Sequence, residues 1–445
     1  MALTICHTAD WHLGHTLYRR GREREHAAFL AWLLDELEAR AADALIVAGD
    51  VFESGNPPGS ALAMFYAFLA DARRRLPGLA IVIVAGNHDS PARLAAPDPV
   101  LRGQGVAVIG SVPYEGERIA VERLVIPIVR AAEIVARVVA VPFLRSADLP
   151  AVDAAWGADP HARGSRRVYD EAIAHARAVR ESEPILVTGH FAAAGARMSR
   201  DSERMLIGGL DGTLPPDVID TRDVAYVALG HLHLAQRVRA SMSDVEMRYA
   251  GSPIPLAFSE RAFEHEVRFV TIEHGVTRSE GVRVPRSVEL LRLPESGVGS
   301  REEILAALAM FPPRAGSADA STYPWVEVRA RVGGGDRDAV EAIEGAAEDR
   351  AVHLARVVLE RPEVESALPA EDSGATSLDV RDVLVARWVR EHGEPPSEGV
   401  LAAFDEAVLA ARARLEQRRS RNVELEGERA WVVGAAIAAR TTGAS

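Results

Sequence analysis

The chain has 445 residues, 48% hydrophobic and 26% charged, a composition typical of a globular protein with room for two or three domains. Its formal net charge of −13 argues against a protein that coats nucleic acid by bulk electrostatics, although local basic patches remain possible. Because Cys6 is the single cysteine and the N-terminal sequence MALTICHTADWHLG lacks the features of a signal peptide, we expect a cytoplasmic protein without a disulfide framework.

The first third of the chain alternates strand and helix signals. Apolar runs predict strands at Leu3–Thr8, Ala44–Ala48 and Leu79–Ala85, and helical spacing of apolar residues predicts helices over Arg24–Ala41 and Ala61–Arg75. Further apolar strands follow at Val138–Pro142, Ile185–Thr188, Val224–Leu229 and Val267–Ile272. This alternation predicts an α/β protein whose core is a two-sheet α/β sandwich.

A domain boundary is predicted near Arg283–Ser287, so that residues 1–285 form the first domain. Residues 286–362 are predicted to form a small α+β domain with strands at Val288–Leu293, Trp325–Val332 and His353–Leu359 and helices at Arg301–Phe311 and Arg337–Asp349. Residues 363–376 are polar and predict a linker. Residues 377–420 carry two amphipathic helices, Leu378–His392 and Val400–Gln417, and residues 421–445 form a tail without a strong pattern.

Five of the apolar strands end in Asp, Asn or His, and four of these polar groups come directly after glycine, which permits close backbone approach. The stretches are TADWHLG, VAGDVFE, AGNHDS, VTGHF and ALGHLH. The carboxyl ends of strands in an open α/β sheet line one crevice, so the polar side chains are expected to converge. They are Asp10, His12, Asp50, Asn87, His88, His190, His231 and His233.

Apart from His88, the set offers two carboxylates, one amide oxygen and four imidazoles. One cysteine excludes a thiolate zinc site, and a mixture of imidazole with oxygen donors suits Mn²⁺, Fe²⁺ or Zn²⁺ rather than Ca²⁺ or Mg²⁺. Seven ligands are too many for one ion that must also bind substrate, but they suit two ions sharing a carboxylate. Such pairs clamp the attacking and leaving oxygens in phosphoryl displacement. DxH, GD and GH are each weak signals alone, HxH is a moderate one, and GNHD directly after a buried strand is a stronger one. The five together predict a metal site.

The motifs in this order resemble the calcineurin-like metallophosphoesterases. The longer stretches HTADWHLG, VAGDVFESGNPP, VAGNHDS, ALGHLH and YAGSPIPLAFSE are similar to the DNA-repair nucleases of that superfamily, most strongly from Leu3 to about Glu260. The resemblance implies one metal on Asp10, His12, Asp50 and His233 and a second on Asp50, Asn87, His190 and His231. It also implies Mn²⁺ as the usual metal and His88 as the catalytic residue beside the scissile phosphate.

The same resemblance implies a DNA substrate, with double-strand exonuclease and single-strand or hairpin endonuclease activity in repair, recombination and replication. It implies a coiled-coil ATPase as partner, bound by the C-terminal helices. The absence of lysine is consistent with a separate ATPase partner, because this chain cannot carry a lysine-containing phosphate-binding loop of its own. Residues 286–362 would cap the DNA, and the helix at Ala61–Arg75 would pair two nuclease subunits into a homodimer within a heterotetramer.

Glu53 and Asp89 are possible supporting residues, with Glu53 orienting His88. Some arginines near the predicted crevice mouth are either DNA phosphate contacts or ordinary surface charges: Arg19, Arg20, Arg22, Arg197, Arg200 and Arg204. Two alternative functions stay open, namely a small-molecule phosphodiesterase or phosphatase of the same superfamily and a non-catalytic scaffold that tethers DNA. The extra domain argues against the first, and the complete ligand set argues against the second.

Overall fold

The computed structural model describes residues 2–150, 159–199, 213–241, 243–314, 320–331 and 336–360, and further along the chain residues 384–385, 388–389 and 393–405. Residues 1–362 form one compact unit and residues 363–445 a second. The predicted linker, most of the two predicted C-terminal helices Leu378–His392 and Val400–Gln417, and the tail lie outside the described residues. Among the described helices, none has the length and apolar character needed to cross a membrane.

In the first unit, strands and helices alternate at the N-terminal end and again after Leu290, and mainly strands lie between Ile185 and Leu293. Its longer elements are β1 Leu3–Thr8, α1 Glu23–Ala39, β2 Ala44–Ala48, α2 Gly59–Arg75, β3 Ala80–Val84, β4 Val106–Ile109, β5 Val125–Arg130, β6 Glu133–Ala140, α3 Pro160–Val179, β7 Ile185–His190, β8 Val224–Gly230, β9 Gln236–Val238, β10 Met247–Tyr249, β11 Glu266–Glu273, β12 Val276–Arg283, β13 Leu290–Leu293, α4 Arg301–Ala309, β14 Trp325–Arg331, α5 Asp336–Glu348 and β15 His353–Glu360. Two-residue strands lie at Thr16–Leu17, Arg20–Gly21, Tyr114–Glu115, Arg118–Ile119, Ala192–Ala193 and Thr213–Leu214, and short helices at Pro91–Ala95 and Asp98–Leu101.

Within the first unit, the strands between residues 3 and 283 form two six-stranded sheets. Their strand orders are β12-β11-β1-β2-β3-β4 and β9-β10-β8-β7-β6-β5. Strands β1 to β4 run parallel to one another, and so do β6, β7, β8 and β10. Antiparallel strands form one edge of the first sheet and both edges of the second. The prediction of a two-sheet α/β sandwich is confirmed.

The central strands of the sheets have continuous apolar sequences because both of their faces are buried. In β2, Ala44 and Ile46 belong to the core between the two sheets, whereas Leu45 and Val47 belong to the core beneath α1 and α2. Side chains alternate across a strand, so one strand serves both layers. This packing directs the strand ends, rather than the strand faces, towards solvent and any ligand.

The segment from Leu124 to Leu144 differs most from the sequence prediction. The sequence predicts a single strand at Val138–Pro142, whereas the structure has the hairpin β5–β6, with Arg130 paired to Glu133 around a two-residue turn. Two of the charged residues in this apolar stretch, Arg130 and Glu133, therefore flank a turn, and the third, Arg137, lies within β6.

The turn of that hairpin is strained. Ala131 and Ala132 have φ values of 52° and 69°, the positive values of a type I′ turn, which favours Asn-Gly. At such φ values a residue with a Cβ costs roughly 1–2 kcal/mol relative to glycine. Replacing it with glycine removes this cost, although glycine loses more conformational entropy on folding, which offsets part of the gain. We expect the double substitution Ala131→Asn, Ala132→Gly to raise the free energy of urea unfolding by about 1 kcal/mol. The control Ala27→Gly, in a helix, should lower it, and a destabilised turn variant would contradict the assignment.

Residues Leu290–Glu360 carry a second, smaller sheet. Strands β13, β14 and β15 are parallel and adjacent in that order, and α4 and α5 pack with them around a separate core. The order of strands and helices matches the prediction. The sequence did not predict that the three strands pair in parallel. Trp325 and Leu290 pack against Leu17 and Phe258, which belong to the part of the unit that carries the two six-stranded sheets.

Candidate metal centre

The predicted polar side chains come together where the carboxyl ends of the two sheets meet. They are Asp10 and His12 after β1, Asp50 after β2, Asn87 and His88 after β3, His190 at the end of β7, and His231 and His233 after β8. All are buried except Asn87 and His88, which are half-buried. Both sheets thus contribute to one cluster.

The donor atoms form three overlapping groups, each with its atoms within 4.8 Å of one another. The groups are Asp10, His12 and His233; His12, Asp50 and His88; and Asp50, His190 and His231. The amide oxygen of Asn87 extends the last group, 3.0 Å from His190 Nε2 and 2.8 Å from His231 Nδ1.

Asp50 is the carboxylate between the two halves of the cluster. Its Oδ2 lies 3.3 Å from His190 Nε2 and 3.7 Å from His12 Nε2, and its Oδ1 accepts a hydrogen bond from the His88 backbone at 2.8 Å. Although burial opposes its charge, His190 holds the pKa of Asp50 well below its usual range. Asp50 is therefore an ionised carboxylate that lies close to histidines of both halves of the cluster.

Several cluster residues have a strained backbone. Asp10, His12, Asp50 and His231 have φ values of 55°, 48°, 50° and 104°. Such conformations cost roughly 1–3 kcal/mol each and persist where the surroundings fix them. Here the amide of Asp10 donates to Gly49 O and that of His12 to Asp50 O, both at 3.0 Å. Strain of this kind concentrates at functional sites.

The glycines of the motifs allow parts of the cluster to approach closely. A Cβ on Gly86 would overlap the Asp50 carboxylate, and a Cβ on Gly230 would overlap the carbonyl oxygen of Ala48. The glycines of the GNHD and GHLH stretches are therefore required by packing between the strand ends.

Glu53 supports two histidines through different atoms. Its carboxylate lies 3.0 Å from His12 Nδ1, and its backbone oxygen accepts a hydrogen bond from His88 Nδ1 at 2.8 Å. Glu53 thus contacts His88, as expected of a supporting residue, through its main chain, and its side chain contacts His12. Contact with His12 outweighs burial and lowers the pKa of Glu53 to about 2.

Glu260 is a supporting residue to which the sequence motifs assign no role. It is buried; its Oε1 lies 2.9 Å from His233 Nδ1, and its Oε2 accepts a hydrogen bond from the Leu256 amide at 2.6 Å. His190 Nδ1 similarly contacts Ala48 O at 2.7 Å. With Nδ1 engaged, each ring turns Nε2 towards the cluster, the usual arrangement around metal-binding histidines.

Asp89 fixes the loops that carry the cluster. Its carboxylate accepts hydrogen bonds from the amides of Val51, Phe52 and Gly86 at 3.1, 3.0 and 2.9 Å. Burial and the nearby Asp50 charge raise the pKa of Asp89 to about 6, against the opposing effect of these amides. Asp89 therefore joins the loop after β2 to the loop after β3.

The donor set fits divalent cations. His12 Nε2 is buried and has no hydrogen-bond partner among the described residues, although the other ring nitrogen is fixed by Glu53. An unsatisfied buried polar atom costs roughly 1–3 kcal/mol, a cost that a cation would remove. Imidazole, carboxylate and amide donors together suit Mn²⁺, Fe²⁺ or Zn²⁺.

The arginines predicted near the crevice mouth differ in their exposure in the structure. Arg22 is buried, contacts Glu25 through two of its nitrogens and donates to Pro255 O at 2.8 Å. Arg22 is therefore unavailable to DNA, and it is neither the DNA contact nor the surface charge that the sequence predicted. Arg19, Arg20 and Arg197 are exposed. Arg200 and Arg204 lie outside the described residues.

The chain has relatives among known proteins along most of its length. Residues 3–235 match the calcineurin-like phosphoesterase family. Over 390 residues the chain is 39% identical to the SbcD subunit of nuclease SbcCD from Rhodobacter capsulatus, an alignment that covers 84% of this chain and 92% of that protein. It is 35% identical to the SbcD protein of Escherichia coli K12, over 64% of this chain and 68% of that protein. The Bacillus subtilis protein of the same name is 33% identical, over 61% and 67%.

Proposed function

Because the chain belongs to the calcineurin-like phosphoesterase family, and within it to the SbcD nucleases, we propose that it is a metal-dependent DNA nuclease subunit acting with an SbcC-type ATPase. Its reaction is hydrolysis of DNA phosphodiesters, in double-strand-break repair, recombination and replication in the cytoplasm. The observation that carries the proposal is the convergence of nitrogen and oxygen donors on both sides of Asp50, in a chain with relatives of this kind along most of its length.

The proposed cofactors are two divalent cations, and Mn²⁺ is the proposed metal at both positions. One set of ligands is Asp10, His12, Asp50 and His233, and the other is Asp50, Asn87, His190 and His231. Bound there, the cations supply Lewis-acid activation of the phosphodiester and of water. The chain itself holds the ligands in place through Glu53, Glu260 and the Ala48 carbonyl.

His88 is the proposed catalytic residue. Its Nδ1 donates to Glu53 O and its backbone amide donates to Asp50 Oδ1, so the ring is fixed next to the central carboxylate. The ring is half-buried and lies 4.7 Å from the His12 ring, between centroids. When protonated, its Nε2 can donate a hydrogen bond or a proton to the leaving oxygen of the DNA strand.

Glu260 provides a test of the ligand assignment. We expect Glu260→Gln to weaken Mn²⁺ binding about 10- to 100-fold, because a neutral amide polarises the His233 imidazole less than a carboxylate does. Titration calorimetry with Mn²⁺ measures the effect. Glu264→Gln, which removes an exposed carboxylate paired with Arg283, is the control. Equal affinities of the two variants would contradict the assignment of His233 as a ligand.

The proposed function is tested with the purified chain, with and without the ATPase, and end-labelled linear duplex and hairpin DNA. We expect cleavage that requires Mn²⁺ and stops on addition of a chelator. DNA left intact under every condition, while 4-nitrophenyl phosphate is hydrolysed, would support the small-molecule phosphatase alternative. DNA retained on the complex without any hydrolysis would support the scaffold alternative.

The domain roles and the assembly are proposed on the same basis. Residues 286–362 would cover the DNA, and the predicted helices within 377–420 would bind the ATPase coiled coil. Helix α2 would pair two copies of the chain, because its outer face exposes Ala63, Tyr66, Ala67 and Ala70. Analytical ultracentrifugation tests this pairing: Ala67→Arg should produce monomers, whereas Ala27→Arg on α1 should not.

A further inference from the structure

The segment Val141–Arg145, which leaves β6, crosses from the second sheet to the loop that follows β3. The amide of Phe143 donates to Ala85 O at 2.8 Å. The Phe143 ring stacks on His231 with centroids 6.4 Å apart and planes at 21°, and it meets the His190 ring edge-on at 6.2 Å. The segment therefore contacts both sheets at the candidate metal centre, although none of the sequence motifs includes it.

Arg145 ends this segment with its guanidinium on the loop that carries Asn87 and His88. Its Nη2 donates to Gly86 O at 3.3 Å and to Asp89 O at 3.1 Å, the carbonyls at the two ends of that loop. Its guanidinium carbon lies 5.4 Å from the centroid of the Phe143 ring. The Arg145 backbone is itself held by the carboxylate of Asp148 at 3.1 Å.

The loop is thus held by two opposite charges. The Asp89 carboxylate binds backbone amides, including that of Gly86 at 2.9 Å, and Arg145 binds the carbonyls. Between these anchors, the Asn87 amide oxygen reaches His190 and His231, and His88 reaches Glu53 O. A small rotation of either peptide at the loop ends would move both side chains away from the cluster.

We propose that Arg145 is a positioning residue for the nuclease reaction, which it serves by fixing the Gly86–Asp89 loop so that Asn87 and His88 face the cluster. The inference rests on the proposed function for its kinetic consequence, although its effect on metal binding can be measured without DNA. Arginine suits this position because its planar fork reaches two carbonyls while stacking on an aromatic ring, which a lysine ammonium does less well.

The test compares Arg145→Met and Arg145→Lys with Arg93→Met. Arg93 is an exposed arginine in the short helix directly after the same loop, so its substitution removes the same charge nearby. A displacement of about 1 Å in reacting groups can cost about 100-fold in rate. We expect Arg145→Met to lower kcat for Mn²⁺-dependent DNA cleavage about 10- to 100-fold with KM changed less than about threefold. Arg145→Lys should fall between this variant and the wild type, and Arg93→Met should match the wild type.

The metal titration separates positioning from a general loss of structure. In electron paramagnetic resonance titrations without DNA, Arg145→Met should bind Mn²⁺ more weakly than the wild type at the position that includes Asn87, while its thermal unfolding midpoint stays close to that of Arg93→Met. Wild-type kcat together with a wild-type Mn²⁺ titration in both Arg145 variants would overturn the proposal. So would a rate loss that only follows the unfolded fraction. If the wild-type chain fails to cleave DNA, the proposed function fails, and the Mn²⁺ titration still decides the role of Arg145.

Discussion

Asp50→Asn is expected to lower kcat/KM for DNA cleavage by about 10³-fold or more. Asparagine has nearly the shape of aspartate and keeps one side-chain oxygen, so the change removes charge and leaves packing almost intact. The lost charge is the one between His190 Nε2 at 3.3 Å and His12 Nε2 at 3.7 Å, where both proposed cations need a shared ligand.

The measurement combines steady-state cleavage of end-labelled duplex with the metal content of the dialysed protein. Asp50→Asn should retain fewer Mn²⁺ ions per chain than the wild type. Asp35→Asn removes an exposed carboxylate that pairs with Arg75 outside the cluster, and it should behave as wild type in both assays. An Asp50→Asn protein with activity within tenfold of wild type would show that the two halves of the cluster do not share this carboxylate.

His88→Ala is expected to lower kcat by about 10²- to 10⁴-fold while leaving Mn²⁺ affinity unchanged within about threefold. The reason is that His88 assists the leaving oxygen and is not one of the proposed ligands. With bis(4-nitrophenyl) phosphate, whose leaving group needs no proton, the loss should be much smaller.

The metal measurement is needed because the His88 ring nitrogen groups with donors of His12 and Asp50 in the structure. If His88→Ala loses Mn²⁺, His88 is a ligand and its assignment as the proton donor is wrong. Wild-type cleavage rates would remove it from the mechanism altogether. His175→Ala, in helix α3, is the matched histidine control and should change neither quantity.

The cluster itself could be predicted from sequence because its geometry follows from a simple rule. Each motif ends a buried strand, and the carboxyl ends of parallel strands lie at one edge of a sheet. The pairing of β1 with β2 and of β7 with β8 obeys this rule, so Asp10 and Asp50, or His190 and His231, meet without further information.

The supporting residues could not be found in this way, because packing between distant segments places them. Glu260 follows His233 by 27 residues and reaches it through an irregular stretch after β10. Arg145 reaches Gly86 and Asp89 from 59 and 56 residues away, in the segment that follows β6, a strand with no polar motif after it. YAGSPIPLAFSE contains Glu260, yet nothing in its spacing distinguishes this carboxylate from its neighbours.

Arg22 was predicted from sequence to lie at the mouth of the crevice, because it is close in sequence to the metal-binding motif, and this prediction is wrong. Its position ten residues after His12 suggests exposure. The structure buries its guanidinium against Glu25 and Pro255 O, with the ring of Trp325 at 5.5 Å from the guanidinium carbon. Trp325 is about 300 residues further along the chain, so no local pattern could have indicated this environment.

Anomalous diffraction at the manganese edge, from crystals soaked in Mn²⁺, would locate the bound cations relative to Asp50. Two peaks are expected, one on each side of the Asp50 carboxylate and about 3.5–4 Å apart, the usual spacing of paired metals in phosphoryl-transfer sites. A single peak that Asp50 does not contact, or no peak among these side chains, would show that this cluster does not hold two cations on a shared carboxylate.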